Sequence, residues 1–313
     1  MPGSHGVLSI KMKKLNLTLL RTLTLSEPAQ AGRPAYVSAA SGLVHVGHNL
    51  YVVADDENYL GIFPDDSNEP GVVKQLFTHE LPLEQNKRKA KKRDVEVLTF
   101  VPPRNDHRHG ALIALGSGSK KRRDKGAVVS FDSRGNLHDK VEHLDLSFAY
   151  KQLRDQVEDL NIEGAVVVDN DIVLFQRGHV GNPSAIIRCN TEAFFAAIDG
   201  GNKKLNLSAS HYDLGAIEGI PLSFTDATTL PDGTMIFSAA AEDTSDSYSD
   251  GECKGSAIGI LTREGELRSI TPVDKIVKIE GISARVIDGK VQLTMVTDAD
   301  DNEIPAAVYS GIL

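Results

Sequence analysis

One pattern recurs five times along this chain and restricts its fold more than any other feature. Ser41-Gly42-Leu43-Val44 precedes Asn49-Leu50-Tyr51-Val52-Val53, and Glu96-Val97-Leu98-Thr99 precedes Ala111-Leu112-Ile113-Ala114-Leu115. Glu163-Gly164-Ala165-Val166 precedes Asp171-Ile172-Val173-Leu174-Phe175. Asp226-Ala227-Thr228-Thr229 precedes Thr234-Met235-Ile236-Phe237, and Glu280-Gly281-Ile282-Ser283 precedes Lys290-Val291-Gln292-Leu293-Thr294. Each copy is an acidic residue or serine opening an apolar segment, then a turn, then a second apolar segment. The tight turns carry turn-forming residues, as in Gly47-His48-Asn49, Asn170-Asp171, Asp232-Gly233 and Asp288-Gly289. In the second copy the loop is longer, Pro102–Gly110. The leading residues are 55, 67, 63 and 54 positions apart in a chain of 313. Antiparallel strand pairs at a spacing of this size are the signature of a β-propeller.

The predicted fold is therefore all-β: a five-bladed β-propeller with four antiparallel strands per blade, forming one domain over 15–313. Residues 306–313 supply a third strand to the last blade, and Leu15–Leu25 from the N-terminal side supplies the fourth, which closes the ring. A β-sandwich or two unrelated β domains are the alternatives. The Lys13-Lys14 pair before Leu15–Leu25 imitates a secretory signal, but Arg21 and polar residues interrupt it, so it reads as an alternating strand. Residues 1–14 are expected to be a flexible extension. Helical spacing is found at Phe148–Leu160, with Ser147 as a cap, and at Thr191–Ile198.

The composition, 41% hydrophobic and 25% charged, is that of an ordinary globular protein. A net charge of −9 argues against general nucleic-acid affinity. No apolar stretch is long enough for a membrane helix. Cys189 and Cys253 can form neither a disulfide framework nor a four-thiolate zinc site, so a reducing, cytoplasmic setting is the easiest reading, with a secreted or periplasmic one the alternative. A monomer is favoured.

In a propeller the first strand of each blade lines the central channel. Ser41, Glu96, Glu163, Asp226 and Glu280 would thus converge near one mouth. Four carboxylates this close either rise in pKa or share a cation, and oxygen-only ligands favour Ca²⁺ before Mg²⁺. Acids that cap the inner strands, or hold water, are the plainer alternative. The same rim receives Asp55-Asp56-Glu57-Asn58, the loop 117–123, Arg177-Gly178-His179, residues 241–256 and 298–303. Gly116–Lys120 could present N–H groups and a lysine to an anion, and Arg177 a planar fork. The basic runs 87–93 and 120–125 read equally well as solvated charge or as a surface for an acidic protein. The stretch Glu242–Glu252, with Asp243, Asp246 and Asp250, reads as an exposed loop or a lid. Asp55-Asp56 and Asp298-Asp300-Asp301 do not match an EF-hand, and His179 and His211 read as surface or core histidines.

Ser41-Gly42-Leu43 with Tyr51-Val52-Val53-Ala54-Asp55-Asp56, and Glu163-Gly164 and Glu280-Gly281 in later blades, resemble the calcium-activated apyrases. They are also similar to the SdiA-regulated and esterase-like phytase propeller families. Apyrases are five-bladed propellers that hydrolyse nucleoside di- and triphosphates with Ca²⁺ in the channel. The resemblance implies a metal set of Ser41, Glu96, Glu163, Asp226 and Glu280, with Asp55, Asp56, Lys120 and Arg177 near substrate. The apyrase loops around substrate are not recognisable. The function expected is a metal-dependent hydrolase of phosphate esters or anhydrides, with Asp55 or Asp56 as base and Lys120 and Arg177 stabilising charge. The alternative is a non-catalytic propeller with a structural cation that binds a protein or a small anionic ligand.

Overall fold

The computed structural model describes residues 13–104, 106–198, 204–244 and 251–313. The expected extension, through residue 12, lies outside the described residues, as do Asp246 and Asp250 of the expected lid.

The described chain forms five sheets, each an antiparallel meander. After β1 (Thr18–Thr22), blade I holds β2 (Ala40–Val46), β3 (Asn49–Ala54), β4 (Tyr59–Pro64) and β5 (Val72–Gln75). Blade II follows a helix, α1 (Gln85–Lys91), with β6 (Val95–Val101), β7 (Ala111–Gly116), β8 (Lys125–Ser130) and β9 (Glu142–Asp145). Blade III, after α2 (Ser147–Leu153), holds β10 (Ile162–Val168), β11 (Asp171–Gln176), β12 (Ser184–Asn190) and, beyond α3 (Thr191–Ile198), β13 (Ser208–Tyr212). Blade IV adds a short β14 (Ala216–Ile217) to β15 (Ile220–Thr229), β16 (Met235–Asp243), β17 (Glu252–Leu261) and β18 (Leu267–Pro272). Blade V comprises β19 (Lys278–Ile287), β20 (Lys290–Asp298), β21 (Ala307–Ile312) and, on its outer edge, β1. The expected closure is therefore present, with Thr18 paired to Ser310 and Thr22 to Ala307.

Both faces of the central strands are apolar because each faces a neighbouring blade. In β3, Leu50, Val52 and Ala54 join Val296 and Val308 of blade V, whereas Tyr51 and Val53 join Leu98, Leu112 and Ala114 of blade II. The same division separates Ile172 and Leu174 from Val173 and Phe175 in β11. The core is thus five inter-blade clusters. The largest, between blades II and III, also takes in Tyr150 and Leu153 of α2, with Val157 and Leu160 just beyond it. Helix α2 begins at Ser147 instead of being capped by it: the Asp145 side chain accepts the Ser147 N–H at 3.0 Å. It ends at Leu153, and turns carry Val157 and Leu160 into the core.

The inner strands approach backbone to backbone where the repeat carries glycine. A Cβ on Gly42 would lie 2.9 Å from Leu98 N, and one on Gly164 would lie 3.0 Å from Asp226 Cα. That contact explains the Ser-Gly and Glu-Gly pairs physically: the glycine sets blade spacing around the axis, and the residue before it is left to face the channel.

Candidate functional site at the channel mouth

Every inner strand carries a bulge, in four of the five near the strand's start. The register shifts between Ala40 and Gly42, Val95 and Val97, Ile162 and Gly164, and Ile279 and Gly281. The unpaired residues are Ser41, Glu96, Glu163 and Glu280. A bulge re-aims its side chain, and here all four line one cavity of about 100 Å³ at the channel mouth.

Blade IV departs from the expected alignment. Its register shift falls between Phe224 and Asp226, so Thr225 is the bulged residue and Asp226 takes the position that is glycine in blades I, III and V. Asp226 is fully buried and does not line the cavity. Its Oδ1 accepts the Ala227 N–H at 2.7 Å, and its Oδ2 accepts the N–H groups of Ile282 at 2.8 Å and Leu43 at 3.4 Å. Burial pushes this carboxyl well above the usual range, against the pull of those three donors. Asp226 therefore ties blades IV, V and I together, which is the capping role weighed for these acids from sequence.

Built-in cations interleave with the acids. Lys92, just past α1, contacts Asp55 closely and lies 2.9 Å from Asp94. Arg123 lies 2.5 Å from Asp94. Arg177, following β11, lies 2.8 Å from Glu242 and 3.6 Å from Glu163. Lys278, two residues before Glu280, lies within 3.1 Å of Glu242 and Glu280 and 3.0 Å from Asp300. Burial opposes the charge on Lys92, Arg177 and Lys278, yet the surrounding carboxylates outweigh it and raise all three well above their ordinary values. Burial likewise opposes ionised Asp94 and Glu242, but their cation partners hold both below the usual carboxylate range.

The remaining acids behave oppositely. Burial, with Glu163, Asp94 and Asp55 nearby, pushes Glu96 well above its ordinary value. Burial lifts Glu163 to about 7 and Asp298 to about 8, and raises Glu280 strongly. Among the described residues no hydrogen bond or ion pair engages the Glu96 carboxylate. Glu280 Oε1 is buried and makes no hydrogen bond, although Lys278 Nζ is 3.1 Å away. Glu163 accepts one hydrogen bond, from Asn161 Nδ2 at 2.6 Å. Ser41 Oγ accepts the Asp55 N–H at 3.1 Å and faces the same cavity. The oxygen donors of Glu96, Glu163, Glu280 and Ser41 fit a hard cation; Asp226 does not. Asp55, Asp94 and Glu96 also present carboxylate oxygens within 4.8 Å of one another, but the Lys92 ammonium already bridges the first two.

Of the residues expected near substrate, Asp55, Asp56 and Arg177 line the cavity and Lys120 does not. Lys120 is exposed, at the head of a 3₁₀ turn. Asp56 is bound by Arg33 at 3.0 Å and sits beside Arg88. The loop after Gly116 does not form an anion cradle: Ser117 N–H donates to Asp94 O, Ser119 N–H to Ser117 Oγ, and Gly118 packs on Tyr150. The basic runs are not wholly solvated, since Arg88, Lys92 and Arg123 are buried ion-pair partners. Glu242, expected in an exposed loop, is buried at the end of β16. Lys92, Asp94, Glu242 and Lys278 were not singled out from sequence as site residues. Their signal was Lys278 two residues ahead of Glu280, and Asp94 two ahead of Glu96.

A family of unknown function, DUF6929, matches residues 36–313. The chain belongs to this family. Its members' shared region thus spans all five inner strands but not β1. No curated protein matches the chain. Among solved structures, the glutaminyl cyclase of Myxococcus xanthus is similar at 11% identity and a TM-score of 0.49, over 96% of this chain and 100% of that one. A putative glycoside hydrolase from Bacteroides ovatus is similar at 13% identity and a TM-score of 0.49, over 94% of this chain and 96% of that one. One from Parabacteroides distasonis has 11% identity and a TM-score of 0.48, over 88% of each chain. The blade architecture described above rests on this chain's own strand pairing.

Proposed function

We propose that the channel mouth binds one hard divalent cation, Ca²⁺ first, through Glu96, Glu163 and Glu280 with Ser41 Oγ beside them. We propose further that a small polar substrate is hydrolysed there, phosphate esters and anhydrides being the class to test first. One observation carries this reading: three carboxyls from three inner strands face one cavity, Glu163 and Glu280 buried and Glu96 half-buried, and the Glu96 carboxylate has no hydrogen-bond or ion-pair partner among the described residues. Like charges so placed need either protons or a shared cation. The donors are all oxygen, as a hard ion prefers.

When bound, such an ion polarises a substrate oxygen and lowers the pKa of a water. The chain's own groups supply the rest. Burial lifts Glu163 to about 7 before an ion binds, so cation binding would displace its proton and hold it as a ligand. Arg177 and Lys278 oppose negative charge developing in the cavity, and each is held in place by Glu242. Lys92 holds Asp55, and Asp56 is engaged by Arg33 and Arg88.

The second reading is a non-catalytic propeller. The Lys92 and Lys278 ammonium groups favour it, since they already neutralise part of the ring. A hydrolysis screen over phosphate monoesters, nucleotides and polyphosphates, with Ca²⁺ or chelator, separates the two. The first reading expects Ca²⁺-dependent turnover that is lost in Glu163→Gln, which takes one charged oxygen ligand from the ion. Ca²⁺-dependent melting with no turnover on any substrate supports the second.

A further inference from the structure

We propose a second metal site, for Zn²⁺, at the opposite rim of blade I, formed by His48 Nδ1, Asp65 Oδ1 and the Asp66 carboxylate. The β2–β3 turn and the end of β4 both lie at the rim away from the channel mouth, because alternate strand ends alternate rims in an up-and-down blade. The Asp65 N–H donates to His48 O at 3.0 Å and pins the two turns together. One ligand atom from each of His48, Asp65 and Asp66 lies within 4.8 Å of the others. His48 Nδ1 and Asp65 Oδ1 are 3.9 Å apart.

The donor set differs in kind from the channel mouth. An imidazole with two carboxylates suits Zn²⁺ and offers little to Ca²⁺. Two carboxylates balance the ion's charge, and three protein ligands leave a fourth position for water. A tetrahedral Zn²⁺ with bonds of about 2.0–2.2 Å spaces its ligand atoms roughly 3.3–3.6 Å apart. The observed spacing must close by a few tenths of an ångström or somewhat more. The His48 side chain is 89% exposed and follows Gly47, whose φ is 60°, so its ring is free to make that adjustment.

Two further observations point to a ligand. Asp65 Oδ1 is a buried oxygen with no hydrogen-bond partner, and it is the oxygen nearest His48. Its companion Oδ2 is engaged by His45 Nε2 at 2.7 Å, with Arg285 at 3.6 Å on the same oxygen. His45 thereby fixes the carboxylate with Oδ1 directed at the cluster, the arrangement that outer groups impose on metal ligands.

The test is a calorimetric Zn²⁺ titration of the whole chain in millimolar Ca²⁺, which occupies the channel mouth if that site exists. One equivalent of Zn²⁺ is expected to bind wild type and Glu96→Gln alike. His48→Ala and Asp66→Asn, both at exposed positions, are expected to weaken binding by more than the roughly 10–100-fold that loss of a group behind a ligand costs. Absence of Zn²⁺ binding to wild type, or equal affinity in wild type, His48→Ala and Asp66→Asn, overturns the proposal. Because Glu96→Gln leaves this site intact, its failure and failure at the channel mouth are distinguishable.

Discussion

The Asp226 carboxylate accepts the Ile282 backbone N–H at 2.8 Å, joining the inner strands of blades IV and V. The same oxygen accepts the Leu43 N–H from blade I. This side chain replaces the backbone-to-backbone contact that glycine allows elsewhere around the axis. Asp226→Ala leaves three buried donors without their acceptor and is expected to cost roughly 2–5 kcal/mol. Denaturant unfolding measures it; a loss under ~0.5 kcal/mol contradicts the tethering role.

Glu242 is shared by Arg177 and Lys278 from two different blades. Glu242→Ala leaves both cations buried with one partner fewer. Breaking a buried pair costs about 3–5 kcal/mol, so a loss of that order in the same unfolding experiment is expected. An unchanged midpoint means that this pairing is not formed in solution.

Closure of the ring depends on the N-terminal strand. Leu23 is fully buried between blades V and I, in the cluster with Phe63 and Val308. Leu23→Ala is expected to destabilise by about 2–5 kcal/mol. Removing residues 1–25 uncovers the edge of β21 and is expected to produce self-association, read by light scattering. A monomeric truncated chain of unchanged stability contradicts the closure.

The pH dependence follows from the raised carboxyls. Glu163 titrates at about 7 when folded and Asp298 at about 8, both above their unfolded values near 4. The folded chain therefore binds more protons than the unfolded chain between those limits. Stability contributed by these protons is complete below about pH 4 and is lost as pH rises toward 8. Glu163→Gln is expected to flatten the decline between pH 5 and 7 (roughly one proton's worth of slope). A wild-type stability that rises steadily over this interval counts against the raised values.

The fold was legible in the sequence because turn chemistry and alternating apolar runs repeat at a near-constant spacing. Four of the five leading residues line one cavity: a bulge and a following close contact explain the pairs at Ser41, Glu163 and Glu280, and Glu96 falls in register with them. Asp226 was placed one position off because blade IV has an acid where the other blades have a small or apolar residue. A missing glycine did not mark the offset, since Val97 follows Glu96 and Glu96 is still the bulged residue. The basic runs concealed their inward members: charge alone has no period, and Arg88 and Lys92 become partners of Glu57 and Asp94 only once α1 and the rim loops are folded. Cys189 and Cys253 are both free, and burial pushes Cys189 up to about 12.

The central claim is that Glu96, Glu163 and Glu280 share a hard cation at the channel mouth. A calorimetric Ca²⁺ titration of the whole chain at pH 8, beside Glu96→Gln, tests it most directly. One equivalent of Ca²⁺ bound by wild type, with proton release that grows as pH falls toward 7 and at least tenfold weaker binding in Glu96→Gln, is the expected result. No Ca²⁺ binding by wild type, or binding that Glu96→Gln leaves unchanged, contradicts it.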